Sequence, residues 1–328
     1  MLECGKQPPH ISINWPSELV QKSDVMNQLG TATGDHQVPR VTTISPNFGM
    51  VIHAGQGQKL RQLSPELVVQ LFQQSGLLLF RDFGVTLEEF SEFTQQFTAH
   101  FVIHRNNLRQ QIGLDPTIQT VFSDRRALPF HGEMYYVPAR PNCNGRPDIL
   151  WFYCIKPGET LGETILCDGI QVWQSLSADA RDCFERRKLC YRHRTPSAVW
   201  KSLSPEPATF LGNLAAVPGV VNCRVDARGD LRWDYVAPAA QKSKYTNQVA
   251  FVNSLLPQSD AYDVTFEDGS CLPEELRQHI VEITKLLTVP IHWQALDVAM
   301  VDNTRCMHGR YLNDEQRKLL VRMSIANF

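Results

Sequence analysis

The sequence holds nine cysteines but no C-x-x-C pair. Their number is odd and their spacing irregular, which argues against both a disulfide framework and a thiolate zinc site. Long apolar runs are also missing. Stretches such as Gly76-Leu77-Leu78-Leu79-Phe80 are far too short to cross a bilayer. Neither charge sign dominates, with 32 Lys and Arg against 34 Asp and Glu and a formal net charge of −2. The charges are interspersed, so no basic stripe points to nucleic acid and no polybasic run to a membrane surface. Met1-Leu2-Glu3-Cys4-Gly5-Lys6 lacks the charged start and apolar core of a secretory signal. Internal repeats and low-complexity tracts are absent as well. What remains is the expectation of a reduced, cytoplasmic protein. Its 328 residues, 43% hydrophobic and 20% charged, suit an ordinary globular chain of one large domain or two average ones.

Residues 1–40, rich in Pro, Gln, Ser, Thr and Gly, read as an extended arm, and 41–328 as a single domain. Val41 to Val51 is a strand region. Ser64-Pro65-Glu66-Leu67 opens a helix, with Ser as N-cap and Pro in the first turn. Gly76 to Phe80 then reads as a buried strand, and Thr86-Leu87-Glu88-Glu89 as a capping box with a helix after it. Residues 105–126 are polar and irregular, the signature of a substrate-covering loop. Asp148 to Ile155 is the strongest strand signal, and Gly162 to Asp168 is another. Two short helices and a strand at Lys188–Arg192 follow. Residues 195–270 resist reading and fit either an inserted lid or substrate segment or a long surface excursion. Leu272 to Leu287 is an amphipathic helix, followed by strands at 289–293, 297–301 and 318–326. Many short strands, few helices and no βαβ alternation predict a mainly β barrel or sandwich decorated by helices.

Three stretches carry chemistry. In Leu128-Pro129-Phe130-His131-Gly132-Glu133-Met134-Tyr135, a histidine and a carboxylate stand two apart in an apolar, extended segment. Residues i and i+2 of a strand share a face, so His131 and Glu133 would enter one cavity. Two such ligands plus a distant histidine make the facial set of a mononuclear iron site. A buried ion pair is the plainer explanation of the tripeptide taken alone. The second stretch, Val298 to Arg310, delivers His308 after a strand that ends in Asp302-Asn303. The long gap from Glu133 is what a jelly-roll barrel needs to bring separate strands to one end. In the third, period two puts Arg317 at the mouth of the apolar face Leu319, Val321 and Met323. A guanidinium there suits a carboxylate held by two parallel hydrogen bonds. Arg322, on the other face, is the second choice, and an ordinary salt bridge is the bland alternative for either.

Phe-His-Gly-Glu-Met-Tyr-Tyr, the Leu150–Cys154 strand, Gly162-Glu163-Thr164, Asp302-Asn303…His308-Gly309-Arg310 and Arg317-Lys318-Leu319-Leu320-Val321 occur in this order. Together they resemble the taurine dioxygenase (TauD/TfdA) family of iron(II)/2-oxoglutarate oxygenases, in its clavaminate synthase-like and syringomycin aspartyl hydroxylase-like branch. The similarity runs over roughly residues 75 to 328. It implies a double-stranded β-helix (jelly roll), with His131, Glu133 and His308 as iron ligands. It further implies that Thr164 and Arg317 bind the 2-oxoglutarate carboxylate, and that O2 is the other cosubstrate. Halogenating relatives leave the carboxylate position empty, so Glu133 implies hydroxylation; desaturation, cyclisation and epoxidation share the same ligands. The implied substrate is a small molecule, an amino acid or its derivative in specialised metabolism, free or tethered to a carrier protein. Candidate substrate contacts are Asn106, Arg125, Arg126, Tyr135, Arg305 and Arg310. Leu161 replaces the family's usual first glycine, Arg322 stands where a small residue is common, and the turn at 140–147 is long. Three other readings are weaker. A hydrolytic zinc enzyme would favour His-Glu-x-x-His, and His100 and His104 have no Glu after the first. A non-catalytic barrel would be expected to have lost a ligand. A cysteine nucleophile lacks a Cys/His context.

Overall fold

Ile149-Leu150-Trp151-Phe152-Tyr153-Cys154 contains no charged residue. A strand turns alternate side chains to opposite faces, so an unbroken apolar run requires cover on both. The computed structural model has that arrangement. It describes residues 39–46, 48–103, 109–121, 125–138, 146–159, 161–202, 206–257, 262–312 and 316–328. The arm expected over 1–40 thus lies almost wholly outside the described residues.

The strand Ile149–Lys156 sits near the middle of a major sheet. Among the described residues that sheet runs, in spatial order, through Arg40–Ser45, Phe48–His53, Leu77–Arg81, Val298–Asp302, Ile149–Lys156, Lys318–Ala326, Asp115–Thr120 and Gln111–Ile112. Thr98–Val102 also pairs with Lys318–Ala326. A minor sheet faces it, ordered Val289–Ile291, Thr164–Asp168, Cys306–Arg310 and Leu128–His131. From Leu128 onward the strands of the two sheets alternate, apart from Thr164–Asp168 and Val289–Ile291, which flank the inserted segment and share the minor sheet; this is the jelly-roll pattern.

Three apolar cores define the layers. Leu150, Phe152, Leu166, Trp293, Ala299, Val301, Leu319, Val321 and Met323 fill the space between the sheets. Trp151, Tyr153, Met300 and Leu320 point the other way, into a second core under the helices Pro65–Ser75 and Leu87–Gln95. Both helices start where expected. Ser64 accepts a hydrogen bond from the Leu67 amide, and Thr86 and Glu89 form a reciprocal capping box. Each such cap is worth about 1 kcal/mol.

The third core lies outside the minor sheet and explains residues 195–270. The strand Leu189–Thr195 joins Val220–Val225, Leu231–Ala237 and Tyr262–Phe266 in a four-stranded inserted sheet. Tyr191, Trp233, Tyr235 and Phe266 pack there with Phe184, Phe251 and Ile280. In Leu231–Ala237 every second residue is buried. The segment is a folded layer rather than a surface excursion.

Two further expectations need correction. The irregular loop expected over 105–126 contains the strands Gln111–Ile112 and Asp115–Thr120, paired with each other and, through Thr120 and Gln119, with Leu320 and Val321. Arg322 is not a carboxylate anchor facing a ligand. It is buried on the helix side and donates to Thr117 Oγ1, Thr94 Oγ1, the Ser91 carbonyl and the Asp115 carboxylate. Its guanidinium also stacks 3.4 Å from the Phe101 ring. Phe101 belongs to the neighbouring strand, as does His100, while His104 lies outside the described residues. Arg322 is thus the rivet that fastens the 111–120 hairpin to the sheet. Arg322→Met should lower stability by about 3 kcal/mol, because it leaves a paired carboxylate and buried hydroxyls without their donor. Denaturant unfolding measures this, and binding of 2-oxoglutarate should change little.

Candidate active site

The strand Leu128–His131 ends just before Gly132, and the chain turns through Gly132, Glu133, Met134 and Tyr135. Gly132 is required by space. A Cβ there would lie 2.5 Å from Tyr135 Cδ2 and 2.7 Å from Val252 Cγ1. Met134 adopts a left-handed φ of 60°, an uncommon conformation for a side chain of its size. Hydrogen bonds from far away in sequence hold this turn. The Gly132 amide donates to the Asn253 carbonyl at 2.8 Å, and Ser254 Oγ donates to the Gly132 carbonyl at 2.9 Å. Asn303 is fully buried and grips Glu133 on both sides. Its Oδ1 accepts from the Glu133 amide at 2.8 Å, while its Nδ2 donates to the Glu133 and Pro147 carbonyls at 3.1 and 2.8 Å.

The sequence places His308 after the turn that follows Asp302-Asn303; there it lies in the middle of a strand of its own, Cys306–Arg310. Asn303 and Thr304 make the tight turn that returns the chain to the opposite sheet. His308 faces His131 as its direct cross-strand partner, with ring centroids 4.3 Å apart. The available ligand atoms of His131, Glu133 and His308 all lie within 4.8 Å of one another. His131 Nδ1 is 2.9 Å from the Pro129 carbonyl oxygen. A carbonyl can only accept, so Nδ1 carries the proton and Nε2 presents its lone pair. His308 Nδ1 is buried with no hydrogen-bond partner among the described residues, and Nε2 is 3.7 Å from Glu133 Oε2.

Burial, with the neighbouring His131 ring, pushes the His308 imidazole down to about 3. Burial likewise pushes His131 down, opposed by the Glu133 carboxylate. Both rings are therefore neutral near pH 7, the state a metal requires. Two imidazoles and one carboxylate suit a divalent iron that keeps open positions. Arg109 completes the cluster and donates to Glu133 Oε2 at 3.0 Å. Burial and the Glu133 carboxylate also push the Tyr136 hydroxyl upward, so the phenol stays protonated beside the cluster.

A second polar site lies beyond an aromatic floor. Phe152 stands between the His308 ring, at 6.0 Å, and the Trp293 ring, at 6.3 Å. Trp293 Nε1 donates to Thr164 Oγ1 at 3.0 Å, and Arg317 Nη1 reaches the same hydroxyl at 3.5 Å. Arg317 Nη1 also donates to the Gly162 carbonyl, and Gly162 has a φ of 99°, which favours glycine there. Thr164, on the neighbouring strand, pairs with Arg310, two residues along from His308. The structure thus gathers His131, Glu133 and His308 in one cluster and Thr164 and Arg317 in another, with Phe152 and Trp293 between them.

The remaining candidates separate. Arg305 was expected at the substrate. Its guanidinium instead pairs with Asp168 through two bonds of 3.0 and 2.6 Å and also donates to the Gln74 carbonyl. Tyr135 faces the outer core, where its hydroxyl accepts from Gln241 and its ring carries the Arg146 guanidinium. Arg125 and Arg126 are exposed. Arg310 is buried and donates to the Arg126 carbonyl at 2.9 Å. Asn106 lies outside the described residues. Arg109, Asn303 and Trp293 join the candidate residues only through the fold. Asn303 follows a buried strand directly, which is a usable signal. Nothing in the spacing distinguishes Arg109 from its polar neighbours.

A jelly roll that gathers two imidazoles and a carboxylate beside an arginine and a threonine has the form of a mononuclear iron oxygenase. The chain matches the family described as "Taurine catabolism dioxygenase TauD, TfdA family" over residues 40–324, and it belongs to that family. It is an iron(II)- and 2-oxoglutarate-dependent dioxygenase. Among curated proteins it is similar to a 3-((Z)-2-isocyanoethenyl)-1H-indole synthase of Fischerella ambigua (strain UTEX 1903), 24% identical over 294 residues, 85% of this chain and 93% of that one. The fold is shared with a taurine dioxygenase from Burkholderia xenovorans, with a TM-score of 0.58 at 17% identity over 88% and 90% of the two chains. It is shared too with PvcB from Pseudomonas aeruginosa, with a TM-score of 0.57 at 15% identity over 89% and 94%. No helix among the described residues is long and apolar enough to cross a membrane.

The inserted layer also touches the turn through His193, which stacks 3.9 Å from Trp233 and donates from Nε2 to the Tyr136 carbonyl. Burial pushes this imidazole from its ordinary 6.5 down to about 4. The folded state resists a proton that the unfolded chain accepts. Stability from this group is complete above pH 6.5 and is lost as pH falls towards 4, by about 3 kcal/mol. The gap in unfolding free energy between wild type and His193→Gln should narrow over that window.

Proposed function

We propose that His131, Glu133 and His308 hold the iron, and that Thr164 and Arg317 receive the far carboxylate of 2-oxoglutarate. The observation that carries this is the convergence of three ligand atoms within 4.8 Å, with both imidazoles held neutral by burial. When bound, iron and 2-oxoglutarate supply the oxidising power, coupling decarboxylation of the cosubstrate to oxidation of the substrate. The chain's own residues hold and orient. Pro129 sets the His131 tautomer, Asn303 fixes the Glu133 turn, and Phe152 and Trp293 give the cosubstrate an apolar floor. Residues 41–328 act as one oxygenase domain in which the 195–270 segment is an insertion buttressing the Glu133 turn.

The substrate is an amino acid or an amino-acid-derived small molecule, free or on a carrier protein, oxidised in the cytoplasm. Glu133 fills the carboxylate position, so hydroxylation is the expected outcome rather than halogenation. Desaturation is the second reading. It is favoured by the likeness to the isocyanoethenyl-indole synthase and to PvcB, an Fe, alpha-ketoglutarate dependent oxygenase from an isonitrile synthetic pathway. Product mass separates the two, since hydroxylation adds an oxygen and desaturation removes two hydrogens.

Anaerobic titration with iron(II) and 2-oxoglutarate should give a weak visible charge-transfer band that is lost in His131→Ala and in His308→Ala. Wild-type protein that gives neither the band nor calorimetric binding of 2-oxoglutarate would refute the assignment. Arg317→Ala should weaken 2-oxoglutarate at least about tenfold, because a charge-assisted pair is lost. Calorimetry on the metal-loaded protein reads this directly, and an unchanged affinity would remove Arg317 from the cosubstrate site.

A further inference from the structure

The outer face of the inserted sheet carries a row of side chains that sheet energetics disfavours. Arg194 and Arg224 are both direct cross-strand partners of Arg232, so three guanidinium side chains stand side by side on three adjacent strands. Neighbouring strands lie about 4.8 Å apart. Like charges placed opposite each other destabilise a sheet.

A bulge creates this row. Val221 pairs with Asp234, so an unbroken ladder would set Cys223 against Arg232 and turn Arg224 to the inner face. Instead the register shifts between Val221 and Arg224, and Asn222 takes a left-handed φ of 54°. The extra residue brings Arg224 to the exposed side, opposite Arg232. Re-aiming a side chain is what such bulges do. The Asn222 side chain is also spent, since its Nδ2 donates to Asp234 Oδ2 at 2.8 Å.

The acids nearby orient the row without covering it. Asp230 Oδ2 accepts from Arg194 Nε and Nη2 at 3.0 and 2.9 Å, and Asp226 Oδ2 accepts from Arg232 Nε at 3.0 Å. Backbone amides anchor both carboxylates, those of Arg228 and Asp230 on Asp226 and that of Ser197 on Asp230. Arg224 Nη1 donates to the Asn222 carbonyl at 3.3 Å, and the Arg224 guanidinium forms no ion pair among the described residues. The row, with Arg192, Asp234 and Asp263, lines a cavity of about 590 Å³. Charge over the whole face is even, four arginines against Asp226, Asp230, Asp234 and Asp263. What the row offers is therefore directed N–H donors at close quarters rather than a diffuse positive field.

One guanidinium fork already fills the two oxygens of a carboxylate. A phosphate monoester presents three strong acceptor oxygens and can join neighbouring guanidiniums. We propose that Arg194, Arg232 and Arg224 form a binding site for a phosphate monoester borne by a small molecule, separate from the metal cluster. An anion seated across the row turns repulsion into attraction, which accounts for a bulge that otherwise only costs stability.

Calorimetry on the full chain tests this with phenyl phosphate and, as the matched carboxylate, benzoate. Wild type should bind phenyl phosphate saturably in the millimolar range or tighter, and benzoate at least about tenfold more weakly. Arg224→Gln should weaken phenyl phosphate by at least about tenfold. Without ligand the same variant should unfold at a higher urea concentration than wild type, because a like-charge neighbour is gone. Arg228→Gln removes the same charge from the adjoining turn and should change neither measurement. The proposal is overturned if wild type takes up no phenyl phosphate, if benzoate binds as well, or if Arg224→Gln keeps its affinity. An Arg224→Gln midpoint at or below that of wild type also overturns it, since the row would then carry no repulsion for a ligand to relieve.

Discussion

The side-chain amide of Asn303 is the joint on which the site depends. It makes three hydrogen bonds in a place without water, two of them to the peptide groups on either side of Glu133. The amide accepts one bond and donates two, whereas a carboxylate only accepts and a hydroxyl has a single donor. It sits in the turn between the Val298–Asp302 strand of the major sheet and the Cys306–Arg310 strand of the minor sheet. One side chain therefore fixes where the chain changes sheets and where the Glu133 carboxylate points.

That joint works because the surrounding layers are rigid. The major sheet is apolar on both faces, with helices behind it and the inter-sheet core in front. The minor sheet is backed in turn by the inserted layer. Period two in Lys318–Ala326 divides labour between the faces. Leu319, Val321 and Met323 build the inter-sheet core that leads to Arg317, while Leu320, Arg322 and Ser324 secure the helix side. Arg322, on this strand, fastens the scaffold, while Arg317, just before it, reaches Gly162 and Thr164.

The alternation from Leu319 to Ser324 was legible in the sequence; Arg317 precedes the strand, beyond a register shift between Lys318 and Leu319, so parity alone does not place it. Unbroken apolar runs, helix caps and the ordered motifs also gave the barrel, the helix starts and the triad. Three things were not legible. The strand holding His308 is short and follows its predecessor through a tight turn, so its boundary could not be read from composition. The inserted sheet has short strands, with a register shift between Val221 and Arg224 that breaks its period. Arg305 looked like a substrate ligand because its partner, Asp168, lies far away in sequence. An arginine bound by a distant carboxylate cannot be told from one awaiting a ligand until the fold brings the two together.

His131 and His308 are direct cross-strand partners, and this has a thermodynamic side. A metal bridging them ties two distant parts of the chain as a cross-link would, closing a long loop that the unfolded chain would otherwise leave open. Metal binding and folding are then linked functions, and free metal concentration sets the apparent stability of the barrel. An iron held there as proposed would be a structural clasp as well as a reagent. A cell short of iron would hold a looser protein as well as an idle one.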